Sequence, residues 1–202
     1  MPKNLLTENQ AKKLKKLGVS STIDVILYLP NRYSDQTLIH TIQNLKVGEV
    51  SQIQVTINEV EVRHRPKKNL ILYVSDETGE MQIRFLHYYP SQIKQFESVD
   101  MVRFYGEVRY QSGYIEMIHP EYSQVSVTTP LPKNLTPIYS VTKGLSQGML
   151  RKLIRKHIDY VIQKKMYLDL FPDFYKKYDY PSFEYAISYL HEPLKIEAKN
   201  IF

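Results

Sequence analysis

The hydrophobic period of the middle of this chain constrains its fold more than any other feature. From residue 48 to residue 127, apolar side chains recur at every second position, which is the period of a β-strand rather than a helix. The first run changes phase partway, and its apolar residues are Ile53, Val55, Ile57, Val60 and Val62. Because one extra residue in a strand shifts the phase in this way, the sequence predicts a β-bulge in a long, bent first strand.

Further strands are predicted in the same region, over residues 70–75, 81–88, 101–110 and 114–125. The first two meet at a tight turn, residues 76–79, and the last two meet at residues 111–113, so both pairs are predicted hairpins. Five strands in one compact run predict an α+β, mainly β fold built on a five-stranded OB-type barrel.

Helical segments flank the predicted barrel. Thr7 and Ser21 can cap two short helices and Gly18 can end the first, which predicts an N-terminal helical hairpin. Beyond a proline-rich connector, apolar residues return to a helical period over residues 145–162, and a shorter helix is predicted over residues 183–191.

The predicted division of the chain has three consecutive parts. Residues 1–47 form the helical hairpin and a connector, residues 48–128 form the barrel, and residues 129–202 form the proline-rich connector and the C-terminal helices. Lysines of the first helix can either contact phosphates or simply face water, and they are Lys12, Lys13, Lys15 and Lys16.

Composition limits the classes of function. The net charge of +6 favours a polyanionic partner, and the absence of cysteine excludes disulfides and thiolate metal sites. The sequence has neither a secretory leader nor a run of about 18 apolar residues, so a cytoplasmic, monomeric protein without a membrane partner is expected.

No catalytic centre is predicted in this sequence. The phosphate-binding pattern G-x-x-x-x-G-K-[ST] is absent; residues 144–148 (GLSQG) come nearest, but Met149 follows where lysine is required. The histidines lack the spacing of a metal site, and His119 is interpreted as a structural residue that hydrogen-bonds to backbone. No metal or cofactor is therefore expected in this chain.

A nucleic-acid-binding surface is predicted where an OB-type barrel presents its second and third strands and two of its loops. The first loop concentrates cations that can meet phosphates, and its candidates are Arg63, Arg65, Lys67 and Lys68. Tyr110 and Tyr114 flank the second loop. If Met81, Ile83 and Phe85 fill the barrel, alternation turns a second set of residues outward, namely Arg84, Tyr88, Arg103, Tyr105 and Arg109.

Short motifs along nearly the whole chain resemble those of one family. Residues 117–122 (MIHPEY) resemble the M-x-H-P-E-Y signature of RecG-type branched-DNA helicases, and residues 28–35 (YLPNRYSD) resemble the element that precedes their wedge barrel. Residues 135–139 (LTPIY), 150–153 (LRKL) and 190–193 (LHEP) match further elements of the family, and all of them occur in the family's order.

This resemblance implies a wedge domain that binds branched DNA, such as a replication fork or a Holliday junction, in recombination and repair. It implies that the wedge packs on helicase motor domains, which alone would need ATP and Mg²⁺. The parent protein would be an ATP-dependent DNA helicase, whereas this chain would have no ATPase activity of its own. Residues 196–202 look like the beginning of a further helix that nothing ends before Phe202, so a longer parent chain is expected.

The resemblance also points to fork-facing residues just after the third strand, where the family commonly has F-N-x-x-Y. In the corresponding stretch, Leu86 and His87 take the F-N place and Pro90 takes the place of the tyrosine. We therefore expect Tyr88 and Tyr89 to supply the stacking rings. Two alternatives stay open, a stand-alone OB-fold protein that binds single-stranded DNA or RNA, and a module that docks on a motor partner.

Overall fold

The computed structural model describes residues 5–65, 68–111, 113–165 and 177–194. In chain order, its elements are α1 (Glu8–Lys15), α2 (Thr22–Ile26), β1 (Arg32–Ser34), a 3-10 turn (Ile42–Asn44), β2 (Val50–Arg63), β3 (Asn69–Ser75), β4 (Glu80–Phe85), α3 (Pro90–Glu97), β5 (Met101–Gln111), β6 (Tyr114–Ile118), β7 (Glu121–Gln124), β8 (Thr136–Ile138), α4 (Gln147–Lys164) and α5 (Phe183–His191). None of these helices combines the length and the apolar composition that a bilayer-spanning helix needs.

The chain divides into two compact units. The barrel unit is Gln36–Leu131, and the helical unit combines Met1–Asp35 with Pro132–Phe202. This differs from the predicted division at residues 47 and 128, because residues 1–35 and 132–202 belong to one unit, while residues 36–47 and 129–131 belong to the barrel unit. Short-range patterns could not reveal this, since it depends on pairing of β1 with β8 and on packing of α2 against α4.

Strand pairing confirms the predicted OB-type barrel. Around the barrel, the strands pair in the order β2–β3–β4–β6–β5, and β5 pairs again with β2. The pairing of β4 with β6 is parallel, and the other four pairings are antiparallel. The register of β2 shifts between Ile57 and Glu59, at the place of the predicted bulge. The predicted last strand is divided in two, because His119 adopts φ of 51° between β6 and β7.

The barrel core contains the residues that alternation predicted to point inward. Met81, Ile83 and Phe85 of β4 are buried, as are Phe104 and Val108 of β5. Helix α3, which the sequence analysis did not predict, adds Phe96 to this core. Its ring lies 5.6 Å from that of Phe85 and 4.8 Å from that of Tyr122, measured between centroids.

Close backbone approach explains the glycine at position 106. A β-carbon there would lie 3.0 Å from Cβ and 3.3 Å from Cα of Pro120, so Pro120 would have to move by a few tenths of an ångström to admit a side chain. Gly106 on β5 thus lets the chain between β6 and β7 pack closely on the barrel.

Within the described residues, the helical unit has the predicted helices, with N-caps at Thr7 and Ser21; the predicted beginning of a helix at residues 196–202 lies outside those residues. The Thr7 hydroxyl accepts from the amide of Gln10 and the Ser21 hydroxyl from that of Asp24, so both N-terminal helices begin with a capping box. Along α4, the apolar side packs into a core with α1, α2 and α5, although Met149 of the predicted apolar face is exposed.

Two buried histidines are hydrogen-bonded within this helical core in their neutral forms. His191 donates from Nε2 to the carbonyl of Ile26 (2.7 Å), so its Nδ1 accepts the hydroxyl of Tyr139 (2.7 Å). His157 donates from Nδ1 to the carbonyl of Leu153 (2.7 Å). Desolvation by burial lowers the pKa of both histidines and raises the pKa of Tyr139.

Candidate nucleic-acid interface

The outer face of β4, β5 and β6 gathers charged side chains around one buried carboxylate. Cross-strand pairing places Gln82 and Arg109 opposite Glu116, and Arg84 follows on the same face of β4. Glu116 has no exposed surface, and its Oε2 lies 2.8 Å from Nη2 of Arg84. Arg84 is thus on the predicted face, but Glu116 offsets much of its charge.

Sequence reasoning missed Glu116. In the run Tyr114-Ile115-Glu116-Met117, alternation turns the glutamate away from the barrel core, which is correct. Nothing in the local pattern indicates that neighbouring side chains cover it completely. The sequence feature that could have indicated this burial is Arg84 on the adjacent strand, because a buried carboxylate requires a cationic partner.

Arg63 at the end of β2 is engaged within the barrel unit. Its Nε donates to Oε1 of Glu61 (2.7 Å) and its Nη2 to the hydroxyl of Tyr73 (2.8 Å), which in turn donates to Oε2 of Glu61 (2.9 Å). The hydrogen bond from Arg63 is the main cause that lowers the pKa of Glu61. A phosphate must therefore compete with a carboxylate for this guanidinium.

Two other cations of the first loop have exposed side chains. Arg65 and Lys68 are exposed, and Nζ of Lys68 lies 5.4 Å from the ring centroid of Tyr88, within the range of a cation–π contact. Lys67 lies outside the described residues. On β5, Arg109 is also exposed, although its Nη2 lies 2.9 Å from the equally exposed carboxylate of Glu107.

Arg103 is covered by other parts of the chain, which corrects the prediction that its outward position makes it accessible to a ligand. Its side chain is only 7% exposed. Its Nε donates to Oε1 of Gln54 (2.8 Å), Nη1 donates to the carbonyl of Pro130 (2.8 Å) and Nη2 donates to the carbonyl of Thr129. The connector after β7 therefore covers this part of β5, a tertiary contact that strand alternation cannot predict. Tyr105 is half-buried.

Two exposed tyrosines flank the β5–β6 hairpin. Tyr110 is 63% exposed and Tyr114 is 54% exposed, and Gly113 supplies the positive φ of the turn. Tyr110 pairs with Ile115 and Tyr114 pairs with Gln111, so the two rings project from opposite faces of the hairpin. They do not form one stacking platform.

Residues 86–89 connect the end of β4 to α3 and carry the most exposed tyrosine of the candidate set. Tyr89 is 75% exposed, and Leu86 and His87 are exposed as well. Tyr88 is half-buried and packs against the barrel core, with its hydroxyl buried. We call residues 86–89 the tip segment.

Both ends of the tip segment are fixed by hydrogen bonds. At the first end, Nε2 of His119 accepts the amides of Leu86 (3.0 Å) and His87 (3.3 Å), which confirms the interpretation of His119 as a structural residue. At the other end, Oε1 of Gln92 accepts the amide of Tyr89 (2.8 Å).

Gln92 is itself held by the barrel. Its Nε2 donates to the hydroxyl of Tyr122 (3.1 Å), which is the last residue of the MIHPEY motif. His119 and Tyr122 of that motif thus support the tip segment from its two ends. No group of three His, Asp or Glu residues that could hold a metal ion occurs among the described residues.

The OB topology, the basic loop and the exposed rings define a barrel with a candidate nucleic-acid-binding face. Residues 4–161 match the model of the RecG wedge domain, and the chain belongs to this family. It is 32% identical over 183 residues to the ATP-dependent DNA helicase RecG of Haemophilus influenzae, covering 90% of this chain and 26% of that protein.

Other relatives agree with this assignment. RecG of Aquifex aeolicus is 27% identical over 98% of this chain and 26% of its own length. A solved structure of RecG bound to a three-way DNA junction superposes with a TM-score of 0.77 at 22% identity, covering 98% of this chain and 27% of that chain, which shows a common fold. The chain therefore spans about a quarter of the length of these relatives.

Proposed function

We propose that this chain binds branched DNA, with the tip segment at the branch point and the basic first loop, between β2 and β3, on the phosphates of one arm. The observation that carries the proposal is the Tyr89 ring, which is 75% exposed on a segment that is hydrogen-bonded at both ends. The solved relative is described as RecG bound to a three-way DNA junction, which supports the same class of ligand.

Base stacking explains why an exposed, fixed ring suits a branch point. Within a duplex arm each base pair is covered on both sides, but the last pair before a branch leaves one face without a neighbour. An aromatic ring can cover that face, and stacking of a base on an aromatic side chain contributes about 1–3 kcal/mol. Because both ends of the segment are already ordered, little conformational entropy is lost when Tyr89 binds.

Phosphate contacts supply the part of the affinity that does not depend on branching. Arg65 and Lys68 are exposed in the first loop, and Lys68 lies beside Tyr88 at the start of the tip segment. Cations that neutralise phosphates release condensed counterions, so affinity falls steeply with salt. Arg109 is paired with Glu107, and Arg84 is paired with Glu116. Each arginine would contact a phosphate only after it gives up its carboxylate partner.

The relatives support a proposal for a longer parent protein. We infer that the wedge acts within an ATP-dependent DNA helicase, since the curated relatives are ATP-dependent DNA helicases called RecG. The role in recombination and repair is the one that the resemblance to this family implies. In this proposal the chain contributes DNA binding, and motor domains contribute ATP hydrolysis. Its 202 residues contain no G-x-x-x-x-G-K-[ST] pattern.

We expect the chain to prefer a fork over its separate parts. Dissociation constants for a three-way fork, a duplex of equal length and a single strand, measured at two salt concentrations, test this preference. We predict tighter binding to the fork by roughly 5- to 150-fold, since stacking of one base is worth about 1–3 kcal/mol. The preference should persist when salt weakens all three complexes, because stacking releases no counterions.

Equal affinity for fork and duplex at both salt concentrations would contradict the proposal. A single strand as the best ligand would instead favour a single-strand-binding OB-fold protein. Such a protein would use the outer face, where Tyr114 and Arg109 lie beside Glu116. If none of the three DNAs binds, a module that docks on a motor partner becomes the better account.

A further inference from the structure

We propose that His119 is a positioning residue for DNA binding, because its imidazole holds the backbone of the tip segment in the conformation that presents Tyr89. This inference rests on the proposed function and assigns a role to a residue that touches no ligand itself. The supporting geometry is one ring nitrogen that accepts two consecutive backbone amides, those of Leu86 and His87.

The backbone of His119 places its ring for this task. Its φ of 51° lies in the left-handed region, which histidine adopts more readily than most residues. Its own amide donates to the carbonyl of Arg84 (2.8 Å), so the chain leaving β6 remains tied to the end of β4. The ring therefore stands directly beside the two amides that follow β4.

Aromatic neighbours fix the orientation of the imidazole. The ring of Phe85 meets it edge-on at a centroid distance of 5.7 Å, and the ring of His87 stacks on it at 6.0 Å. Since Nε2 accepts two amides, the neutral ring carries its proton on Nδ1. Desolvation, with a smaller contribution from repulsion by His87, lowers the pKa of His119 and favours this neutral form.

Two backbone amides at the end of a strand would otherwise bond to water, and the segment would sample other conformations. The bonds to His119 fix its first two residues, and Gln92 fixes the last. Tyr89 is this last residue, and its side chain is directed into solvent. Removal of the His119 acceptor should therefore reduce fork binding without removing any group that contacts DNA.

Two substitutions distinguish the effect of the hydrogen-bond acceptor at Nε2 of His119 from the effect of the positive φ at this position. His119→Gln places an amide oxygen near the position of Nε2, whereas His119→Asn tolerates a positive φ but is too short to reach the two amides. We expect His119→Asn to weaken fork binding about as much as Tyr89→Ala does, and His119→Gln to retain most of the affinity. The double variant His119→Asn/Tyr89→Ala should bind about as weakly as either single variant.

Amide hydrogen exchange in the free 202-residue chain tests the positioning independently of DNA. We expect the amides of Leu86 and His87 to exchange roughly tenfold faster in His119→Asn than in the unaltered chain and in His119→Gln. Unchanged exchange at both amides would overturn the inference, as would additive losses of fork affinity in the double variant. If Tyr89→Ala leaves fork binding unchanged, the proposed function fails, and the exchange rates still decide whether His119 orders the segment.

Discussion

Replacing Arg65, Lys68 and Arg109 together with alanine is expected to weaken fork and duplex binding by roughly two to three orders of magnitude at about 0.1 M salt. All three side chains are exposed on the barrel unit. Each lost phosphate contact should reduce the slope of log affinity against log salt by about 0.9. The measurement is a salt titration of fork affinity, in which three contacts correspond to a loss of about 2.7 from the slope.

A matched control exists on the helical unit. The triple substitution of Lys12, Lys15 and Lys16 removes the same amount of charge from exposed positions of the first helix and its end. We expect a much smaller loss of affinity and an almost unchanged salt slope. A control variant that loses as much as the barrel variant would mean that net charge, or a phosphate surface on the helical unit, governs binding.

Tyr89→Ala is expected to weaken fork binding by roughly 5- to 150-fold while leaving duplex binding almost unchanged, since stacking contributes about 1–3 kcal/mol per base. The stability of the chain should hardly change, because the ring is 75% exposed and the helix cap uses the backbone amide and carbonyl of Tyr89. Competition between fork and duplex for each variant measures the effect.

Tyr89→Phe is the control for the ring itself. It keeps the aromatic face and removes only the hydroxyl, so fork preference should survive. A loss in Tyr89→Phe equal to that in Tyr89→Ala would assign the effect to a hydrogen bond rather than to stacking. An equal loss of fork and duplex affinity in Tyr89→Ala would place the ring on an arm and not at the branch.

The barrel was predictable because each strand buries one face. Alternation identified Met81, Ile83 and Phe85 as core, and the change of phase in β2 revealed the bulge near Ile57. These features depend on neighbours in the sequence, so a one-dimensional pattern contains them. The sequence did not reveal helix α3, because this helix is short and comes soon after the alternating apolar pattern of strand β4.

The details of the candidate interface depend on tertiary contacts that no local pattern contains. Alternation turned Arg103 outward correctly, but the connector at Thr129 and Pro130 covers it. Likewise Glu116 is outward in the pattern and fully buried in the fold, where Arg84 approaches it. The sequence indicated that His119 is structural but could not identify its hydrogen-bond partners, since they are more than thirty residues away in the sequence.

Photo-crosslinking from position 89 tests the central claim most directly. A photoreactive phenylalanine analogue replaces Tyr89 in the 202-residue chain, and the same analogue at exposed Tyr185 of the helical unit serves as the control. On a fork with defined arms, we predict crosslinks from position 89 at the nucleotides flanking the branch point and markedly fewer from position 185. Crosslinks from position 89 spread evenly along the duplex arms would contradict the account.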